Sequence, residues 1–206
     1  MAIATIIKPL INKLRFNRKL IIVKGIYAIT PNQVLALDAI EHMLNRYQPY
    51  ALQYRHKTDD QALKLAEAKA LKQLCSLHNT VFIINDDINL AQKVGADGVH
   101  LGQEDGNIAK ARAQLGDQAL IGASCYNQIE LALQAQAAGA DYVAFGALFA
   151  SPTKPEAVPC SLETITQAKT QLQIPIVGIG GITLENQQQA LTAGCDAVAM
   201  ITALYE

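Results

Sequence analysis

The chain has 206 residues, of which 50% are hydrophobic and 17% charged, and its formal net charge is −1. This length suffices for one domain with a sizeable core, and no proline- or serine-rich linker divides it. The balanced charge lacks the basic excess typical of general nucleic-acid binding, so no nucleic-acid partner is expected. The four cysteines (Cys75, Cys125, Cys160, Cys195) form no CxxC pair, which argues against a zinc site or a disulfide framework and fits a reducing cytoplasm.

Residues 1–24 mix apolar residues with six lysines and arginines. The apolar runs are interrupted too often for a signal peptide or a membrane span. A helix on a membrane surface is one alternative. The preferred interpretation is an N-terminal helical extension over residues 1–24, bent or started by Pro9, that packs on a single domain over residues 25–206.

From Gly25 onward, short β-branched runs alternate with alanine- and leucine-rich stretches that favour helices. The runs predicted as strands are 26–30, 50–55, 81–84, 97–101, 119–122, 141–146, 175–180 and 197–201. Strict alternation of this kind implies parallel strands with right-handed crossovers. The pattern therefore predicts an α/β fold of the (β/α)8 TIM barrel type, with a doubly wound open sheet as the alternative.

The stretch from Asp59 to His78 illustrates the helical pattern. Thr58 or Asp59 is expected to cap its start, because short oxygen-bearing side chains accept the first free amide protons of a helix. The predicted apolar stripe consists of Leu63, Ala66, Ala70, Leu74 and Leu77.

Three segments resemble one another: VGADGVHLG (94–102), AGADYVAFG (138–146) and AGCDAVAMI (193–201). Each reads as a helix that ends at glycine, then a small residue, an aspartate and a strand. Glycine suits the end of a helix, where a positive φ is needed. We interpret this repetition as architecture and not as chemistry.

The stretch LQYRHK (52–57) contains residues that a buried strand should reject. Alternation along an extended chain sets Gln53, Arg55 and Lys57 on one face and the three intervening residues on the other. Because burial of unpaired charge is costly, the polar face is expected to meet water, an acidic partner or an anionic ligand.

The chemistry of a barrel belongs at the carboxyl ends of its strands, and polar residues collect there in this sequence. NDD (85–87) follows the third strand and GQED (102–105) follows the fourth. Asp86 and Asp87 are both candidate caps for the helix that begins near Ile88. Asp86 and Asp105 also end neighbouring strands and could share a divalent cation. Beside Arg55 and Lys57, such a pair indicates a site for a magnesium-bound polyphosphate.

The segment VGIGGIT (177–183) places consecutive glycines between a strand and a helix. Glycine pairs serve simple tight turns as well as phosphate sites. Since the loops after strands 7 and 8 of a barrel commonly bind phosphate, the backbone amides and the helix N-terminus here are predicted to form a second phosphate site.

Taken together and in order, the motifs QYRHK, IINDDINLAQKVGADGVHLGQED, GASCYN, GADYVAFGALFASPTKP and PIVGIGGIT resemble those of the thiamine-phosphate synthase family. The resemblance runs from about Gly25 to Leu204. It implies a cytoplasmic (β/α)8 transferase that uses Mg2+ to couple 4-amino-2-methyl-5-hydroxymethylpyrimidine diphosphate to 4-methyl-5-(2-phosphoethyl)thiazole, which gives thiamine phosphate and diphosphate. Its partners would be these small molecules.

The resemblance also implies roles for residues at matching positions. Arg55, Ser124 and Lys154 would be catalytic, and Asp86 and Asp105 would bind Mg2+. The implied substrate-binding residues are Gln53, Arg55, Lys57, Asn85, Ser124, Ser151, Thr153, Lys154, Gly180, Gly181, Ile201 and Thr202.

The implied reaction is dissociative: diphosphate leaves, the amino-pyrimidine delocalises the resulting cation, and the thiazole nitrogen attacks. It needs no side-chain nucleophile, and the sequence offers no convincing Ser/His/Asp set. We interpret His100 as a hydrogen-bonded residue of the barrel. Two alternatives remain at this point: a metal-independent relative that isomerises the thiazole ring, and a non-catalytic sensor of a phosphorylated ligand.

The sequence departs from the family pattern at several positions. Tyr126 stands where the family often has histidine, Ser151 replaces the usual threonine, and Thr202 replaces the usual serine. The exchanged hydroxyls keep a donor and an acceptor. The segment AVPCSLE lacks a common glycine, and Glu206 leaves room for a truncated final helix only. The N-terminal extension, or a second subunit of a homo-oligomer, is expected to cover the barrel wall that this helix would shield.

Overall fold

The chain folds as a closed barrel of eight parallel strands. The computed structural model describes residues 23–34, 36–102, 107–150 and 156–205. The strands pair in chain order and β8 pairs back with β1, so the predicted (β/α)8 barrel is confirmed and the open sheet is wrong. The strands are β1 (Gly25–Ile29), β2 (Ala51–Tyr54), β3 (Val81–Asn85), β4 (Gly98–Leu101), β5 (Leu120–Tyr126), β6 (Tyr142–Phe145), β7 (Ile176–Ile179) and β8 (Ala197–Met200).

A helix follows each of the first seven strands. These are α1 (Leu37–Tyr47), α2 (Gln61–Leu77), α3 (Ile88–Val94), α4 (Ile108–Leu115), α5 (Ile129–Ala138), α6 (Leu162–Gln171) and α7 (Gln187–Ala193). After β8 the described chain forms a short 3-10 helix, Thr202–Leu204. Most of the predicted N-terminal extension lies outside the described residues. Among the described helices, none combines the length and apolar character needed to cross a membrane.

Two apolar cores follow from the alternation of side chains along the strands. One set fills the barrel interior and includes Tyr27, Ile83 and Tyr142. The other lies between the strands and the surrounding helices and includes Leu52, Phe82 and Val143. Every predicted strand is present, although β5 runs further than predicted, to Tyr126.

Helix α2 differs from its predicted cap and its predicted buried face. Its cap is Asp60, whose side chain accepts a hydrogen bond from the backbone N–H of Leu63 at 2.9 Å, and not Thr58 or Asp59. The predicted stripe is wrong, since Leu77 is 77% exposed. The face that is buried instead includes the carboxylate of Glu67, which contacts Tyr54 of β2 and His56. Its buried residues are Glu67, Ala68, Leu71 and Cys75.

The three similar segments build the amino-terminal end of the barrel, as interpreted from the sequence. Asp97 precedes β4, and its carboxylate accepts hydrogen bonds from the backbone N–H of Phe82 at 2.8 Å and from Lys72 Nζ at 2.9 Å. Asp141 repeats this arrangement before β6, where it accepts hydrogen bonds from the backbone N–H of Ile121 and from the Arg112 side chain. Asp196 repeats it before β8, with the backbone N–H of Ile176 and Lys169 Nζ as donors. Each aspartate thus joins a strand to a helix at the end of the barrel opposite the predicted site.

Candidate active site

A cleft of about 240 Å³ opens where β2 and β3 end. Four predicted site residues line it: Arg55, Lys57, Asn85 and Asp86. The remaining lining residues are Tyr54, His56, Lys64, Ile84, Asp87 and Leu90. The structure therefore brings the motifs that follow two neighbouring strands into one cleft that is rich in positive charge and contains carboxylates.

Gln53 does not share the environment of Arg55 and Lys57. Strand β2 ends at Tyr54, so the predicted alternation does not continue to Lys57. Gln53 is 4% exposed, and its Nε2 donates a hydrogen bond to the Tyr27 hydroxyl at 3.1 Å. Its amide is therefore closed off from water and contacts a tyrosine inside the barrel, and its contact with a ligand remains a prediction.

The two neighbouring aspartates after β3 have different roles. Asp87 caps helix α3 by accepting a hydrogen bond from the backbone N–H of Leu90 at 2.8 Å. Asp86 instead adopts a left-handed backbone conformation, with φ of 62°, and its Oδ1 accepts a hydrogen bond from the backbone N–H of Gly102 at 3.2 Å. Asn85 donates a hydrogen bond to Asp86 Oδ2. These contacts hold the Asp86 carboxylate between the ends of β3 and β4.

The donor atoms at this rim suit a hard divalent cation. Asp86 supplies carboxylate oxygens and Asn85 an amide oxygen, which are the ligand types that Mg2+ prefers. Asp105, the second predicted ligand, lies outside the described residues. Among the described residues, no group of three or more His, Cys, Asp or Glu side chains could hold a metal ion. Asp86 therefore fits a magnesium site that would draw its other ligands from substrate oxygens, water or Asp105.

A chain of buried hydrogen bonds crosses the barrel interior from Gln53 to Ser124. The hydroxyls of Tyr27 and Tyr142 lie 2.8 Å apart. His100 Nδ1 lies 3.2 Å from the Tyr142 hydroxyl, and His100 Nε2 lies 2.9 Å from Ser124 Oγ. The interpretation of His100 as a hydrogen-bonded barrel residue is confirmed. Two predicted substrate-binding residues on opposite sides of the barrel are thus connected.

Burial keeps this chain of side chains neutral at pH 7. Desolvation lowers the pKa of His100 to about 4 and raises the pKa of both Tyr27 and Tyr142. Sequence reasoning missed the two tyrosines. One available signal was Gly122 in the interior of β5, since glycine in a strand often marks close approach of another group. A Cβ at Gly122 would lie 2.1 Å from Cζ of Tyr142, so glycine makes room for the ring.

The glycine pair after β7 seats the loop that follows β6. Gly180 and Gly181 have φ of 97° and 61°, and the carbonyl of Gly180 accepts a hydrogen bond from the backbone N–H of Phe149 at 3.0 Å. A Cβ at Gly181 would lie 2.3 Å from the carbonyl oxygen of Ala150. The expected helix N-terminus does not follow directly, because a turn held by Asn186 precedes α7.

Of the remaining predicted substrate-binding residues, the structure describes two and leaves three outside the described ranges. Ile201 and Thr202 follow β8, which neighbours β7, so they lie at the same end of the barrel as the glycine pair. Ser151, Thr153 and Lys154 lie outside the described residues. Their roles, like the second phosphate site, remain predictions.

Comparison with known proteins gives the same assignment along nearly the whole chain. A family model described as thiamine monophosphate synthase matches residues 26–204. Thiamine-phosphate synthase of Azoarcus sp. is 48% identical, and the match covers 89% of this chain and 90% of that protein. Thiamine-phosphate synthase of Thioalkalivibrio sulfidiphilus is 46% identical, and the match covers 88% of each chain. The structure of thiamine phosphate pyrophosphorylase from Pyrococcus furiosus superposes with a TM-score of 0.81 at 31% identity, and the match covers 91% of this chain and 90% of that one. The chain belongs to the thiamine monophosphate synthase family.

Proposed function

We propose that this chain couples 4-amino-2-methyl-5-hydroxymethylpyrimidine diphosphate to 4-methyl-5-(2-phosphoethyl)thiazole, and that the cleft after β2 and β3 binds the diphosphate group. Thiamine-phosphate synthesis, a transferase reaction of thiamine biosynthesis, is the activity of the family to which the chain belongs. The roles of individual residues and the use of Mg2+ are our assignments. We place the reaction in the cytoplasm, with which four free, buried cysteines are compatible.

One observation carries the assignment of the diphosphate site. Arg55, Lys57 and Lys64 line the same cleft as Asn85 and Asp86. Three cations near an amide and the Asp86 carboxylate suit an anion that is bound partly by the protein and partly through a divalent cation. The cleft lies at the carboxyl ends of the strands, where barrel enzymes carry their chemistry.

The cations would act on the leaving group. Arg55 can donate paired hydrogen bonds to diphosphate oxygens, and Lys57 and Lys64 add positive charge. As the bond between the pyrimidine methylene carbon and the diphosphate oxygen breaks, both bonding electrons leave with diphosphate, whose growing charge these side chains stabilise. A bound Mg2+ held by Asp86, and by Asp105 as a proposed second ligand, would add Lewis-acid stabilisation of the same oxygens.

The second half of the reaction needs positioning and no side-chain nucleophile. The thiazole nitrogen donates its electron pair to the methylene carbon of the pyrimidinylmethyl cation, and the new carbon–nitrogen bond completes the product. Ser124 is assigned to the reaction centre and Gln53 to the pyrimidine, since the hydrogen-bonded chain through Tyr27, Tyr142 and His100 fixes both at the barrel axis. Gly180, Gly181, Ile201 and Thr202 are assigned to the thiazole phosphate, and Ser151, Thr153 and Lys154 to the substrates' phosphates.

The test is diphosphate release that requires both substrates and Mg2+. Asp86→Asn should reduce turnover at limiting Mg2+ by at least about a hundredfold if it loses a metal-stabilised leaving group. Asp97→Asn makes the same change at the opposite end of the barrel and should leave turnover close to wild type. Full activity of Asp86→Asn at limiting Mg2+ would refute the metal assignment, and steady-state diphosphate release that is as fast without the thiazole substrate as with it would refute the coupling reaction.

A further inference from the structure

We propose that Thr30 is a positioning residue for the reaction. Together with Asn32 and Glu67, Thr30 holds residues 54–57 in place. In that position Arg55 and Lys57 face the diphosphate. Residues 55–57 lie beyond the end of β2 and belong to no strand or helix. The inference rests on the proposed role of Arg55 and Lys57. The three residues that hold the segment, Thr30, Asn32 and Glu67, are not among those that line the cleft.

Thr30 satisfies both backbone hydrogen-bonding groups of Arg55 with one side chain. Its Oγ1 accepts a hydrogen bond from the Arg55 N–H at 2.8 Å and donates one to the Arg55 carbonyl at 3.2 Å. The Thr30 N–H donates to the carbonyl of Gln53 at 2.9 Å, which is the last step of the β1–β2 pairing. Thr30 is 1% exposed, so water cannot replace its hydroxyl. Its side chain thus extends the sheet by one residue and sets the backbone direction at Arg55.

Asn32 performs a related task two residues later. Its Oδ1 accepts a hydrogen bond from the backbone N–H of Lys57 at 2.6 Å. The loop after β1 therefore contacts the backbone at both cationic residues. Because Thr30 and Asn32 are separated by Pro31, whose φ is fixed by its ring, the spacing between their two contacts is restrained.

Glu67 holds the other face of the segment from helix α2. Its Oε2 accepts a hydrogen bond from the Tyr54 hydroxyl at 2.7 Å and lies 2.8 Å from His56 Nδ1. Burial, followed by the contacts with Glu67, raises the pKa of Tyr54, so its hydroxyl remains a donor. The side chains that alternate with Arg55 are thus fixed to one carboxylate, and the segment is held from β1 on one side and from α2 on the other.

Such contacts matter for this reaction because charge stabilisation depends on where the cations sit before diphosphate departs. Preorganised donors cost no reorganisation at the moment of reaction. A displacement of about 1 Å at a positioned group can reduce the rate by about a hundredfold. Loss of the Thr30 hydroxyl would remove its hydrogen bonds to the partly buried N–H and carbonyl of Arg55, so the segment is expected to shift toward water.

The experiment compares Thr30→Val, Thr30→Ser and Thr80→Val. Valine keeps the branched shape and removes the hydroxyl, whereas serine restores a hydroxyl. Thr80 is the matched control, because it is 6% exposed and its hydroxyl donates to the Pro49 carbonyl at 3.3 Å ahead of β3, at the opposite end of the barrel. The measurements are kcat and KM for each substrate, and the Kd of inorganic diphosphate with Mg2+ by calorimetry.

Thr30→Val should raise the Kd of diphosphate. It should also lower kcat/KM for the pyrimidine diphosphate by about tenfold or more. Its KM for the thiazole phosphate should stay within about twofold of the wild-type value. Thr30→Ser should recover most of this loss, and Thr80→Val should lose thermal stability without changing either KM. Wild-type kinetics and diphosphate affinity in a folded Thr30→Val would overturn the proposal. If Thr30→Val does not fold, Asn32→Ala at an exposed position is measured in the same way and must weaken diphosphate binding.

One further variant separates this proposal from the assignment beneath it. Arg55→Ala should weaken diphosphate binding and turnover whether or not Thr30 acts through Arg55. If Arg55→Ala is fully active, the assigned role of Arg55 fails and the positioning proposal fails with it. If Arg55→Ala is impaired and Thr30→Val is not, the positioning proposal alone fails.

Discussion

At the scale of single residues, Arg55 carries the most specific assignment. Among the ion pairs formed between described residues, none includes Arg55. Its backbone is held by Thr30, and Arg55 is one of the residues that line the cleft. A cation with a fixed backbone and no carboxylate partner in the described structure is better suited to a ligand than to stabilisation of the barrel rim.

The first prediction here concerns the shape of the Arg55 guanidinium. Arg55→Lys keeps the charge and loses the planar fork that contacts two oxygens at once. It should reduce the rate of the bound complex in single-turnover diphosphate release more than it weakens affinity for the pyrimidine diphosphate. Arg55→Ala should cost roughly 2 to 4 kcal/mol of transition-state stabilisation, as for loss of one strong electrostatic donor.

Arg46→Ala is the control for this prediction, because Arg46 lies on helix α1 beside Tyr47 and its loss changes the net charge equally. It should leave single-turnover rates at the wild-type value. If Arg55→Ala instead lowers the melting temperature and releases diphosphate at the wild-type rate with saturating substrate, Arg55 only stabilises the structure.

The residues of this site differ in how well the sequence could predict them. Arg55, Lys57, Asn85 and Asp86 could be found because the carboxyl ends of neighbouring parallel strands must meet at one rim. The contact between Tyr27 and Tyr142 was harder to predict, since the two residues are 115 positions apart and Gly122 indicates only that some group approaches β5 closely.

At the scale of elements, the repeated aspartates before β4, β6 and β8 show how each strand pair is joined to a helix. The pairs differ in burial. Arg112 and Asp141 side chains are 15% and 14% exposed, whereas those of Lys169 and Asp196 are 42% and 30% exposed. Arg112 also donates to the carbonyls of Gly116 at 3.1 Å and Gly139 at 3.3 Å, so it ties the loops around α4 and β6 together.

This difference predicts unequal losses of stability. Asp141→Asn should lower the free energy of unfolding by about 2 to 3 kcal/mol, because it leaves the mostly buried Arg112 guanidinium without its carboxylate. Asp196→Asn should cost about 1 kcal/mol or less, since water screens the more exposed pair. Urea unfolding monitored by circular dichroism measures both values. Equal losses, or a larger loss for Asp196→Asn, would contradict this account.

Helix α2 shows where element-level reasoning from sequence fails. Its existence and approximate length follow from composition and spacing, but its rotation does not. Burial of a glutamate is unfavourable unless its carboxylate has partners, and here Tyr54 and His56 of the neighbouring segment contact it. The buried face of the helix therefore includes a polar contact between elements, which the pattern of one element does not reveal.

At the scale of the whole molecule, closure of the barrel makes its interior a single environment. The strand count and the strict alternation favoured closure over a doubly wound open sheet, because eight strand–helix units of this size are typical of a closed barrel. The polar contents of the interior were harder to predict. Gln53, Tyr27, Tyr142, His100 and Ser124 come from five strands, and each has a polar group that burial would disfavour without its neighbours.

His100 gives this closed interior a measurable dependence on pH. Burial lowers its pKa in the folded protein to about 4, compared with 6.5 for an ordinary histidine. Above pH of about 6.5 neither state binds the proton, so there is no contribution to stability. Between pH of about 6.5 and about 4 the unfolded chain binds a proton that the folded chain does not, so the free energy of unfolding falls as the pH falls.

His100→Gln is the variant to compare with wild type, because glutamine has no group that binds a proton in this pH range. From about pH 7 to about pH 5 the stability of the wild type should fall by about 2 kcal/mol more than that of the variant, given 1.36 kcal/mol for each unit of pKa difference. Subtraction of the two profiles removes the effect of carboxylates that titrate in both proteins. Urea unfolding at several pH values provides the measurement. Parallel profiles would show that His100 gains a proton in the folded barrel as easily as in the unfolded chain, and that water reaches the hydrogen-bonded chain between Gln53 and Ser124.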